Sequence, residues 1–149
     1  MCGIVAYIGN KDPKSIILDG LERMEYRGYD SAGILLCNNF ESQLTKISGK
    51  VDSLSKKLDT KQQISTHLGI GHTRWATHGI PDEKNAHPHI SNSGKLHIVH
   101  NGIIENFDTI KKELSQRGYS FYSDTDSEVL VNLIDEIKVK ENVKLSKAV

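Results

Sequence analysis

Charge of neither sign is in excess: 19 Lys and Arg stand against 19 Asp and Glu, and the formal net charge is +0. The basic surplus or cluster that marks a nucleic-acid or anionic-membrane surface is missing, so neither partner is expected. Long apolar runs are missing too. Stretches such as Ile34 to Cys37 fall far short of the roughly 18 residues that a membrane span needs. The first eight residues lack the basic start of a secretory signal and Asp12 follows soon after, which points to a cytoplasmic protein. Cysteine is scarce, with only Cys2 and Cys37, and reduced thiols fit that compartment better than a disulfide. Internal repeats, low-complexity tracts and Pro/Gly/Ser linkers are also absent. One domain over residues 1–149 is therefore expected, and a chain of this size can bury about two thirds of its unfolded surface without staples.

What is present alternates between the two regular periods. Gly3 to Ile8 is apolar and β-prone and reads as a buried strand. Asp12-Pro13 supplies an N-cap and a first-turn proline, and Ile17, Leu21 and Met24 then keep helical spacing. Ala32 to Cys37 and Leu44 to Ser48 flank an Asn-Asn turn and read as a hairpin, followed by a short helix over Val51 to Leu58. Further strands are expected over Leu68 to Thr73, Leu96 to His100 and Tyr119 to Tyr122. Between the first two of these lies a long polar stretch, Trp75 to Gly94, without a clear period; a loop of that length in a compact domain is usually functional. Asn106 to Arg117 predicts a helix closed by Gly118. Thr125-x-x-Glu128 resembles a capping box opening a last helix, with Val129, Leu130, Leu133, Ile134 and Ile137 inward. Strands grouped with helices outside them suggest an α+β layered fold.

Three places carry chemistry. Cys2 follows Met1 and is small enough to permit methionine removal, which would leave a thiol beside its own free α-amine. A thiol near pKa 8.5 is only a few per cent ionised at neutral pH, and an amine titrating near 8 can take its proton. Cys37, in an apolar strand, reads as a core thiol. Gly71 to Gly79 delivers Arg74, Thr77 and His78 to the start of the long loop, and the planar fork of Arg74 suits bidentate capture of a carboxylate. A surface ion pair for Arg74 and a core role for Trp75 are the plainer alternatives. His100-Asn101-Gly102 reads as a turn, or as a side-chain amide beside a glycine N–H able to hold a developing oxyanion. All seven histidines lie between positions 67 and 100, which raises a metal site. No His-Glu-x-x-His helix or Cys-x-x-Cys accompanies them, and Asp124-x-Asp126-x-Glu128 has Val129 where a calcium loop turns on glycine, so no metal and no cofactor are expected. Ser31 between glycines is not Gly-x-Ser-x-Gly, which leaves a nucleophile elbow unsupported.

Taken in order, Cys2-Gly3-Ile4-Val5, Glu25-Tyr26-Arg27-Gly28-Tyr29-Asp30-Ser31-Ala32-Gly33, His72 to Gly79, Asn85 to His89, His100 to Asn106 and Thr125-Asp126-Ser127-Glu128 resemble the class II glutamine amidotransferases over nearly the whole chain. The resemblance implies an α+β N-terminal-nucleophile hydrolase fold, a four-layer αββα sandwich, here incomplete at its C-terminus. It implies glutamine as substrate, hydrolysed to glutamate and ammonia through a thioester on Cys2. By motif, Asn101 and the Gly102 N–H would form the oxyanion hole, Arg74 would hold the substrate carboxylate and Asp126 its ammonium. Thr77 and His78 would line the pocket, Arg27 would support the cysteine region, and Trp75 would sit on a loop closing over the site. The motifs are most similar to the amino-sugar-forming branch, in which fructose-6-phosphate is met only by sugar-isomerising domains absent from this chain and ammonia goes to glucosamine-6-phosphate. A homodimer is among the assemblies open to such a full-length enzyme. The alternatives are a non-catalytic fragment or binding module with the same fold and, least favoured, a histidine-rich metal-binding domain.

Overall fold

The computed structural model describes residues 2–75 and 80–149. They fall into two compact units, one of residues 1–88 and 99–101 and the other of residues 89–98 and 102–149.

The first unit is built on an antiparallel sheet of β1 (Gly3–Ile8), β2 (Ser31–Cys37), β3 (Ser42–Ser48) and β4 (Leu68–Arg74), in the order β1-β4-β2-β3. Two helices pack on it, α1 (Pro13–Met24) and α2 (Val51–Asp59). Asp12 caps α1 by accepting from the Lys14 N–H, and Pro13 opens the helix, as its sequence predicts. Ile17, Leu21, Ile34, Val51 and Leu54 are fully enclosed in this core. β1 reads from its sequence as a buried strand, and the structure covers it on one face. Gly3, Val5 and Tyr7 alternate with Ile4, Ala6 and Ile8, and Ile8 is 72% exposed. Its uniformly apolar pattern hid that difference.

Glycine is required at position 33 of β2. The backbone carbonyl of His87 crosses the strand there so closely that a Cβ on Gly33 would collide with its oxygen. We expect Gly33→Ala to cost about 1–3 kcal/mol, the usual scale of overpacking, because the atom that must yield is backbone. An unchanged thermal unfolding midpoint would show that the His87 segment does not cross β2 in this way.

The second unit holds β5 (His89–Ile90) paired antiparallel with β6 (His97–Ile98), followed by α3 (Phe107–Gln116), α4 (Asp126–Lys140) and α5 (Leu145–Ala148). The strand expected over Leu96 to His100 shrinks to His97–Ile98, since β5 offers only two partners. Tyr119 to Tyr122 is not a strand. The Asn92 side chain takes the place of a neighbouring strand, accepting from the Ser120 N–H and donating to the Ser120 carbonyl, both at 2.8 Å. Gly118 ends α3 in the left-handed region at φ 93°.

The capping box of α4 is half formed. Thr125 Oγ1 accepts from the Glu128 N–H, but the Glu128 carboxylate reaches past Thr125 to the Tyr122 and Ser123 amides and the Ser123 hydroxyl. Val131, outside the expected inner face, is buried beside Val129 and Ile134, while Leu130, Leu133 and Ile137 are half-buried.

Candidate active site

Register brings Cys2 to its neighbours. β1 runs against β4 with Gly3 opposite Thr73, so the residue preceding the strand emerges where β4 ends. The Gly3 N–H donates to Thr73 Oγ1 at 3.1 Å, which fixes the backbone just after the cysteine. The Trp75 N–H donates to Cys2 Sγ at 3.2 Å, and the thiol lies 3.7 Å from the Trp75 carbonyl. Asn101 donates from its side-chain amide to the Cys2 carbonyl at 3.1 Å. Three of the expected residues, Cys2, Trp75 and Asn101, are thus brought together, although they lie far apart along the chain.

Trp75 is 46% exposed and meets Tyr29 edge to face, with ring centroids 5.7 Å apart, so it is not a core plug. Arg74, the last residue of β4, is buried, and its Nη1 donates to the Ile80 carbonyl at 3.4 Å. Its own carbonyl accepts from the Asp30 N–H. Arg27 is half-buried in a single 3-10 turn, Glu25–Arg27. Thr77 and His78 lie outside the described residues.

Gly102 and Asp126 belong to the second unit. Asp126 opens α4, where a carboxylate is favoured by the helix dipole, and is buried. Its Oδ2 accepts from the Ile104 N–H at 2.8 Å, so the carboxylate holds the backbone that follows Gly102.

Within the long polar stretch read as a loop, residues 85–89 are enclosed. Asn85, Ala86, His87 and His89 are buried, and Asn85 is tied to the Asp82 carboxylate and the Ile80 carbonyl. The His89 ring meets the Thr125 hydroxyl at 2.9 Å. His72 and His87 stack with ring centroids 4.3 Å apart. Burial holds His72 down at about 3; a backbone group of His100 pulls the other way, while the charges of Arg74 and His100 lower it further. Both ring nitrogens of His72 are buried without a well-formed hydrogen bond. Among the described residues, no three His, Cys, Asp or Glu side chains converge as a metal site. Cys37, expected in the core, is half-buried at the end of β2, and burial pushes its thiol up, away from the reactive thiolate.

Sequence reading missed Thr73, His72 and His87 as parts of this arrangement. Thr73 could have been found by aligning the ends of β1 and β4; the two histidines lie in family motifs, but nothing local announces that their rings stack.

The family described as "Glutamine amidotransferase domain" matches residues 39–146. The chain belongs to the glutamine amidotransferase family. It is 54% identical over 136 residues to the glutamine–fructose-6-phosphate aminotransferase (isomerizing) of Pyrococcus horikoshii, covering 91% of this chain and 23% of that protein. It is 52% identical to the enzyme of the same name from Bacteroides thetaiotaomicron, over 100% of this chain and 24% of that protein. The chain therefore spans under a quarter of the length of these curated relatives. Among solved structures, the glutamine phosphoribosylpyrophosphate amidotransferase of B. subtilis, complexed with ADP and GMP, is similar at TM-score 0.80 and 26% identity, over 99% of this chain and 31% of that one. The allosteric regulatory enzyme of purine biosynthesis gives a TM-score of 0.82 at the same identity and coverage. The fold is the α+β fold of the N-terminal-nucleophile amidotransferases, as the motifs imply. The amidotransferase motifs of the sequence thus mark true kinship, and the identity to the two fructose-6-phosphate aminotransferases is about twice that to the two solved structures.

Proposed function

We propose that the chain is a glutaminase domain that hydrolyses glutamine to glutamate and ammonia, with Cys2 as nucleophile once Met1 is removed. The observation that carries this reading is the Asn101 amide on the Cys2 carbonyl, beside a thiol hydrogen-bonded to Trp75. The α-amine takes the thiol proton, and sulfur attacks the side-chain carbonyl of glutamine. An amide nitrogen carries two N–H donors, and Asn101 spends one on Cys2, so the other suits the developing oxyanion together with the Gly102 N–H. Collapse breaks the C–N bond, the proton returns to the leaving nitrogen as ammonia departs, and water then cleaves the thioester to glutamate.

In this reading Arg74 grips the substrate carboxylate and Asp126 its ammonium, Thr77 and His78 line the pocket, Arg27 supports the cysteine segment, and Trp75 closes over the site. By kinship with the aminotransferases named above, the ammonia serves glucosamine-6-phosphate formation from fructose-6-phosphate on further domains of a longer protein, cytoplasmic and homodimeric, which needs neither metal nor nucleic acid.

The test is covalent. A glutamine analogue bearing an electrophile at the side-chain carbonyl is expected to label Cys2 and spare Cys37, read by peptide mass mapping. Labelling at Cys37, or none at Cys2 in a protein shown to lack Met1, would overturn the mechanism and favour a non-catalytic module.

A further inference from the structure

The catalytic reading needs Asn101 held still, yet Asn101 is exposed and directly precedes a glycine. A donor on a segment free to shift loses the preorganisation that gives an oxyanion hole its effect. The structure ties the residue before it to a histidine that takes no part in the proposed chemistry. The His100 backbone N–H donates to His87 Nδ1 at 3.3 Å. His87 is buried at 4% exposure, its ring lies on His72 of β4, and its carbonyl crosses β2 where Gly33 leaves room.

We infer that His87 is a positioning residue for the oxyanion donor: its Nδ1 accepts the His100 N–H and so fixes the backbone from which Asn101 reaches Cys2. This inference rests on the glutaminase reading for its catalytic consequence and on geometry for the link itself. Accepting at Nδ1 requires the tautomer with its proton on Nε2, which leaves the acceptor lone pair on the side facing His100. The stack on His72 sets the plane of the ring. Because His72 is kept neutral, the two rings stack without repulsion between charges. The central strands β2 and β4 thereby act on the donor through one side chain.

Three variants separate this role from plain packing. In His87→Asn the side-chain oxygen sits near the place of Nδ1 and can still accept. In His87→Gln the acceptor is displaced by one bond, and in His87→Ala it is gone. We expect the Gln and Ala variants to lose about tenfold in kcat for glutamine hydrolysis, part of the hundredfold or more that deleting an oxyanion donor costs, with KM nearly unchanged. The Asn variant should recover most of that loss. Hydrogen exchange at the His100 amide should rank the same way: protected in the parent and Asn variant, faster in Gln and, where it folds, in Ala. Equal kcat in all variants, or an Asn variant no better than Gln with His100 equally protected in both, would overturn the proposal. If the parent is no faster than Cys2→Ala, the glutaminase reading fails instead, and His100 protection alone then decides whether the His87 link exists.

Discussion

Cys2→Ala is expected to reduce glutamine hydrolysis to background while leaving the thermal unfolding midpoint close to that of the parent. Removing a covalent nucleophile costs about a millionfold in hydrolases of comparable logic. The side chain itself is half-buried just before β1 and contributes little packing. Retaining Met1 should be equally harmful. It keeps the thiol but turns its amine into an amide without basicity, so the proton has no acceptor built into the same residue. Intact mass identifies the form in hand, and activity is then compared between the two forms. Undiminished hydrolysis by protein that keeps Met1 would remove the α-amine from the mechanism, and activity surviving in Cys2→Ala would remove the thiol.

Asn101→Ala should fold normally and hydrolyse glutamine about a hundredfold or more slowly, the usual cost of one oxyanion donor. Its hydrogen bond to the Cys2 carbonyl is also lost, but that bond lies at an exposed site and weighs little on stability. Asn101→Asp should be no better than alanine, although it is almost the same shape: a carboxylate has no N–H to give and places negative charge where negative charge develops. Rapid-quench measurement of the first turnover should find the acylation step slowed. A variant that unfolds, or one that turns over at the parental rate, would return Asn101 to the role of a turn residue.

Elements whose stabilising contacts are local were legible in the sequence. Asp12-Pro13 announces α1 because cap and first turn are adjacent, and the Asn-Asn turn announces the β2–β3 pair because the two strands share one hairpin. Expectations failed where a partner comes from elsewhere. Tyr119 to Tyr122 has the composition of a strand, but the Asn92 amide satisfies Ser120 from 28 positions away. Asn85 to His89 fall in the long polar stretch read as a loop, and their burial was not legible there because it depends on the backbone and side-chain partners that satisfy them. At the site, the sequence supplied Cys2, Trp75 and Asn101 as names; the β1–β4 register brings the first two together, and the Asn101 amide on the Cys2 carbonyl adds the third. His87 lies in the Asn85 to His89 motif, but that motif does not say what the residue does, since its meaning lies in which amide its ring nitrogen meets.

The pairing of β1 with β4 also sets an order of events during synthesis. Gly3 leaves the ribosome 70 positions ahead of Thr73, the residue whose hydroxyl binds its amide. At 5–20 residues per second that interval is about 4–14 s, during which β1 has neither its ladder nor the neighbour that anchors the cysteine. β1 sits at the edge of its sheet and can join only after β4 exists, so its docking is a slow, long-range closure rather than a local one. The ladder that sets Cys2 beside Trp75 therefore forms late, and in the proposed mechanism the thiol meets its neighbours only after the rest of the sheet is built.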